Sequence, residues 1–218
     1  YVVGGSEGGL IAARLIEQFE QTYDGALSLC APMGGAAYQA NYLGDFRVVF
    51  DHFFPSVFRD EFKAFEVPAL AYQNWGNLSA GYVQDIATAL ASNPSAASQL
   101  FNVTRVPLNP QDLSGSALQS ALSLLFYSIW ETPDLLATAR GIPYDNRGTF
   151  YLGSSNDFSL NRGVERVASD ANARSYLRHF YQPTGKLRQP LVSLHTAFDP
   201  IVPFSHELIY LGLATLAG

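Results

Sequence analysis

The chain has 218 residues, of which 48% are hydrophobic, 13% aromatic and 15% charged, and its net charge is −6. That apolar content suffices for a sizeable core and excludes wholesale disorder. The acidic balance, with only two lysines (Lys63, Lys186) and no basic run, argues against a nucleic-acid surface. The one cysteine, Cys30, excludes an intrachain disulfide and a cysteine-based structural zinc site, and leaves the compartment open. No uninterrupted apolar run of ~18 residues occurs, so no membrane span is expected, and no signal peptide is visible.

Tyr1-Val2-Val3 reads as a buried strand, Gly4 to Gly9 as a tight turn, and Leu10 to Gln21 as a helix with Ile11, Leu15 and Phe19 on one face. Tyr23-Asp24-Gly25 is a turn, and Ala26 to Ala31 a second strand closed by Pro32. This succession is the βαβ unit of a parallel sheet. From Gly34 to Arg188 helical periodicity takes over. Phe46, Phe50, Phe54, Phe58 and Phe62 recur every fourth residue, interrupted at Pro55. Ala80 to Leu90, Ser98 to Val103, Asp112 to Ile129 and Gly163 to Tyr181 read as helices, and Gly141 to Phe158 as a loop. Strand character returns at Pro190 to His195. A last helix, Ser205 to Leu216, has Ser205 as its expected N-cap. No internal repeat or low-complexity segment is found. The first residue is Tyr1 and the only methionine is Met33, and both ends lie in apolar sequence, so a fragment of a larger protein is expected.

Gly4-Gly5-Ser6-Glu7-Gly8 fits G-x-S-x-G between a strand and a helix. A serine at such a turn projects Oγ from strained backbone. Glycines two positions to either side, Gly4 and Gly8, are expected to remove Cβ atoms that would collide there. The helix N-terminus presents N–H groups, Glu7 first, to a developing oxyanion. Neither the dinucleotide fingerprint nor the P-loop fits the same glycines, and no cofactor is implied. Asp199, in Asp199-Pro200-Ile201-Val202-Pro203 beyond the last strand, is placed to orient a histidine. The bland alternatives are a glycine-rich turn and a turn-initiating Asp-Pro pair.

Together these two segments resemble the α/β-hydrolase superfamily of serine esterases and prolyl-oligopeptidase-like peptidases. The resemblance covers about 40 residues at the two ends, and it implies a nucleophile at Ser6, an acid at Asp199 and half an oxyanion hole at Glu7 N–H. It also implies a histidine about 25–40 residues beyond the acid, where only 19 residues remain. His206 is a weak candidate for that base, and His195 reads as a packed strand residue. Core or surface roles are expected for His52 and His179. No short His/Cys spacing points to a metal, so none is expected. The expectation is therefore a base outside this chain and a fragment inactive by itself.

Ser6 and Asp199 are 193 positions apart. Two helices, one strand and short loops need only about 60–70 residues. The surplus of about 120 is helical and aromatic. The expected fold is a partial α/β-hydrolase parallel sheet (residues 1–33 and 188–218) with a large, mostly helical cap insertion (residues 34–187). An apolar cap lining would suit an ester or peptide with an apolar acyl or aromatic part; the phenylalanine stripe itself is expected to be cap core. The readings are a carboxylic ester hydrolase, a serine peptidase or amidase, or a non-catalytic binding protein of the same fold. Asn77-Leu78-Ser79 and Asn102-Val103-Thr104 fit the glycosylation acceptor pattern. The excess of Arg over Lys and the Ala content suggest a GC-rich bacterial genome, which makes both matches coincidental.

Overall fold

Three short aliphatic runs make the only sheet among the described residues, β1 (Val2–Gly5), β2 (Ala26–Leu29) and β3 (Leu191–Leu194). The structure is a computed structural model and describes residues 1–58, 61–75 and 81–218. Around the sheet the helices follow in chain order: α1 (Glu7–Gln18), α2 (Ala36–Phe53), α3 (Ala71–Trp75), α4 (Tyr82–Ser92), α5 (Pro94–Thr104), α6 (Leu113–Ala139), α7 (Asp157–Gly163), α8 (Ala171–Tyr181) and α9 (Ser205–Ala217). The chain divides into two compact units, residues 1–40 with 174–218, and residues 41–173.

In the first unit the strands run parallel in the order β1-β2-β3, with Val2 opposite Ala26 and Ala26 opposite Leu191. Period-two alternation sends Val2, Ala26 and Leu191 to one face, where Ala12, Ala13 and Ile16 of α1 and Tyr210 of α9 pack in two small clusters. The other face carries Val3, Leu27 and Val192, then Gly5, Leu29 and Leu194. Val3, Val192 and Leu194 are more than half exposed there. Parallel sheets are normally covered on both faces, so this apolar face is unusual. Glu17 of α1 ties the unit together: it accepts hydrogen bonds from Thr184 N–H and Oγ1, Gly185 N–H and the Tyr210 hydroxyl.

The second unit is all helix and loop in its described residues. Phe46, Phe50, Phe54, Phe58 and Phe62 are all buried in one continuous core with Ile86, Leu100, Leu124 and Leu125. The fourfold spacing is thus core packing: Phe46, Phe54 and Phe58 each pack on Phe50 and Phe62 packs on Phe58, with ring centroids 5.2–6.4 Å apart. Arg47 is buried in this apolar surround. Its guanidinium lies over the Phe58 and Phe62 rings and its Nε donates to both Asp51 carboxylate oxygens.

Element bounds differ from the sequence expectations where caps decide them. Asn93 caps α5 by accepting Ala96 N–H, and Pro94 sits at its first position, so that helix starts four residues early. Of the helix expected over Gly163 to Tyr181 only α8, from Ala171, forms; the chain is extended at Val164, and a separate short helix, α7, capped by Asn156 and ending at Gly163, begins at Asp157 in the stretch expected to be a loop. α6 continues through Pro133 to Ala139. Ser205 is not the cap of α9; Phe204 holds that position, and Ser205 Oγ pairs with the Tyr38 hydroxyl at 3.1 Å. Asn102 lies within α5 and its amide donates to Gly153 O, so it is occupied as a structural donor. Asn77-Leu78-Ser79 lies outside the described residues.

Candidate active site

Ser6 is the residue between β1 and α1, and its backbone holds φ 52° and ψ −128°. A side chain with a Cβ pays strain in this region, and strain of this kind concentrates at functional sites. Backbone bonds keep it there. Ser6 N–H donates to Leu29 O at 2.8 Å, and Ser6 O accepts Gly9 N–H at 2.9 Å. The Ser6 side chain makes no capping bond to α1, and the residue is exposed. The Glu7 N–H lies in the first turn of α1, where no intrahelical acceptor exists, at the positive end of the helix.

The glycines divide the steric work differently from the expectation. A Cβ on Gly4 would run into the backbone carbonyl of Gly8 and come within 2.7 Å of Gly9 N. Gly4 is therefore required. A Cβ on Gly8 would meet nothing within 4 Å. The glycine that permits close helix–sheet approach is instead Gly9, whose Cβ would sit 2.6 Å from both the Ala31 Cβ and Ser28 Oγ.

Asp199 lies in the loop after β3. Because β1 and β3 both run parallel to β2, Ser6 and Asp199 follow strand ends at the same, carboxyl edge of the sheet. The Asp199 Oδ1 accepts Ile201 N–H and Val202 N–H, each at 2.9 Å. Those two bonds fix the carboxylate, and among the described residues no hydrogen bond to Oδ2 is made.

The four histidines are all accounted for by their surroundings. His206 is fully buried on α9. Its Nδ1 accepts Gly34 N–H at 3.0 Å and its Nε2 faces Gln39 Oε1 at 2.8 Å. Burial, and the neighbouring His195 charge, push its pKa down to about 4. A ring so enclosed and so bonded is a structural neutral imidazole, and it is not placed to serve Ser6. His195 follows β3 with its side chain 1% exposed; Nδ1 faces Glu207 Oε1 at 2.8 Å and Nε2 donates to Val202 O at 2.7 Å. His52 and His179 stand edge-to-face on the adjacent Phe53 and Phe180 rings.

Sequence spacing offered no metal ligands. The fold nevertheless brings Cys30, His195 and Asp199 together, their ligand atoms all within 4.8 Å of one another. Cys30 itself holds φ 46°, with its N–H bonded to Leu194 O. The signal for this grouping was the shared position just past adjacent strand ends; its first two members are 165 positions apart, so no local motif could reveal it.

In the second unit, α4, α5 and the start of α6 enclose a groove of about 770 Å³, with Leu90, Ala97, Phe101, Val106 and Leu118 among its lining. No described helix is long and apolar enough to cross a membrane. Comparison with protein-family models, with curated proteins and with solved structures finds no match to this chain.

Proposed function

We propose that the protein is a serine hydrolase of α/β-hydrolase type that cleaves carboxylic esters through an acyl-enzyme. Ser6 Oγ attacks the ester carbonyl, and the alkoxide of the tetrahedral intermediate is received by Glu7 N–H as half of an oxyanion hole. Asp199 orients and charge-stabilises a histidine base through the side of its carboxylate that carries Oδ2. That histidine is supplied from outside these 218 residues, since His195 and His206 are both committed to internal partners. The base takes the serine proton, returns it to the departing alcohol, and then activates the water that frees the acid.

The observation that carries the reading is the strained backbone of Ser6, a non-glycine at φ 52° between a parallel strand and a helix. An ordinary turn would place glycine there at no cost. The fixed Asp199 carboxylate at the same sheet edge supports it. The helical second unit is read as a cap.

The decisive experiment is labelling with a fluorophosphonate probe in the complete protein, with Ser6→Ala as the control. Labelling that is lost in the variant supports the assignment; undiminished labelling of the variant ends it. Turnover of p-nitrophenyl esters against peptide amides then separates esterase from peptidase.

A further inference from the structure

We propose that His195 is a buried imidazolium, ion-paired with Glu207, and that this pair clamps the turn carrying Asp199 at the carboxyl edge of the sheet. Proton counting fixes the charge. Nε2 lies 2.7 Å from the Val202 carbonyl oxygen, which can only accept, so Nε2 carries a proton. Nδ1 lies 2.8 Å from Glu207 Oε1, and one proton must stand between them. A carboxyl group ordinarily releases its proton about two pH units below an imidazolium, so that proton resides on Nδ1. The ring then holds two protons and a positive charge, with its side chain only 1% exposed.

The surroundings suit that charge. A cation taken out of water needs opposite charge close by. Glu207 supplies it from the first turn of α9, where the positive end of the helix favours a charged carboxylate. An Asp199 oxygen and the Cys30 sulfur lie within 4.8 Å of a ring nitrogen. His206, also on α9, stays neutral, its pKa pushed down to about 4 by burial and by the His195 charge. Both His195 nitrogens are donors, so the grouping with Cys30 and Asp199 offers a cation no imidazole lone pair.

Val202 links the pair to Asp199. Its carbonyl accepts from His195 and its N–H donates to Asp199 Oδ1. Ile201 is gripped in the same way: its N–H donates to the same Oδ1, and its carbonyl accepts from Gln39 Nε2 at 2.7 Å. Gln39 Oε1 in turn accepts the Nε2 proton of neutral His206, whose Nδ1 is occupied by Gly34 N–H. Two histidines in opposite protonation states therefore hold consecutive carbonyls of one turn, whose N–H groups aim the carboxylate. A charged donor makes the stronger bond, so the His195 side dominates. His195 and Glu207 are positioning residues; only the role of Asp199 as a catalytic acid rests on the hydrolase reading.

The test reads protons and needs no substrate. The complete protein, labelled with ¹⁵N in its histidine rings, is observed by NMR at pH 7, where a solvent-exposed imidazole is mostly neutral. The His195 signals are assigned through their loss in His195→Gln. The expected result is two protonated ring nitrogens for His195. In Glu207→Gln, where a neutral amide faces Nδ1, His195 should keep a single ring proton. The Ile201 and Val202 amide protons should then exchange with solvent at least about tenfold faster than in the parent, the worth of one charged hydrogen bond, while those of Ala12 and Ile16 in α1 are unchanged. A bare ring nitrogen on His195 in the parent overturns the ion pair. Exchange at Ile201 and Val202 that is unchanged in Glu207→Gln overturns the clamp. Fluorophosphonate labelling of Ser6 stands apart: its failure in the parent removes the hydrolase reading, and the ring and exchange results still decide the clamp.

Discussion

Unit one packs small residues, Ala12, Ala13 and Ala31, together with Ile16 and Tyr210 on one face of its sheet, whereas unit two is filled by Phe46, Phe50, Phe58, Ile86 and Leu124. The first is assembled by close backbone approach at Gly4 and Gly9 and by aimed polar bonds from Glu17, Gln39 and His206. The second is filled mainly by large apolar side chains, with the Arg47–Asp51 pair enclosed so that Arg47 lies over the Phe58 and Phe62 rings, and with buried Asn146 bonded to Val167 N–H and Glu165 O. The lesson is that the two should fail in opposite ways. Added atoms should break unit one, and removed atoms should break unit two.

The largest effect is expected at Gly4. Gly4→Ala places a methyl group on the Gly8 backbone, and backbone cannot rotate aside. The cost should exceed the ~1–3 kcal/mol of ordinary overpacking. Limited proteolysis should show residues 1–40 and 174–218 degraded while 41–173 persists; a variant that resists proteolysis like the parent contradicts the comparison.

Next comes Phe50→Ala, which empties a fully buried site in unit two and should cost about 3–5 kcal/mol in denaturant unfolding. A cost under about 1 kcal/mol would mean that this core is not close-packed.

The third effect depends on pH and acts on unit one. His206 is held near a pKa of about 4, below its ordinary value. Its unfolded form therefore binds a proton first as pH falls. The stability contributed by the neutral, bonded ring is complete above about pH 6.5 and is lost progressively toward pH 4. The loss is about 3 kcal/mol. His206→Gln should flatten that segment of the stability–pH curve relative to the parent. Curves that stay parallel would remove His206 as the cause.

The smallest effects are expected where the comparison says nothing is touched. Gly8→Ala has open space around its new methyl and gains helix propensity, so stability should hold or rise by up to ~1 kcal/mol. Val192→Lys on the exposed sheet face should change stability by less than about 0.5 kcal/mol while raising solubility. A marked destabilisation by Gly8→Ala would restore the symmetric two-glycine elbow expected from the motif.

The sequence by itself determined the βαβ opening, the return of strand character near Leu191, and the helical character of the long middle stretch. These are local matters of hydrophobic period and of glycine and proline punctuation, which nearest neighbours decide. Ser6 as a strand-to-helix serine was legible for the same reason. Tertiary structure alone decided which glycines bear the steric load, because that depends on what lies across the turn: Gly8 O against Gly4, and Ala31 and Ser28 against Gly9. It alone decided that His206 is bonded to Gly34 and Gln39, some 170 residues earlier in the chain. It alone brought Cys30 beside His195 and Asp199. Parallel pairing of β2 with β3 sets these meetings, and pairing between distant strands is fixed by shared burial of whole faces, a property that no window of neighbouring residues contains.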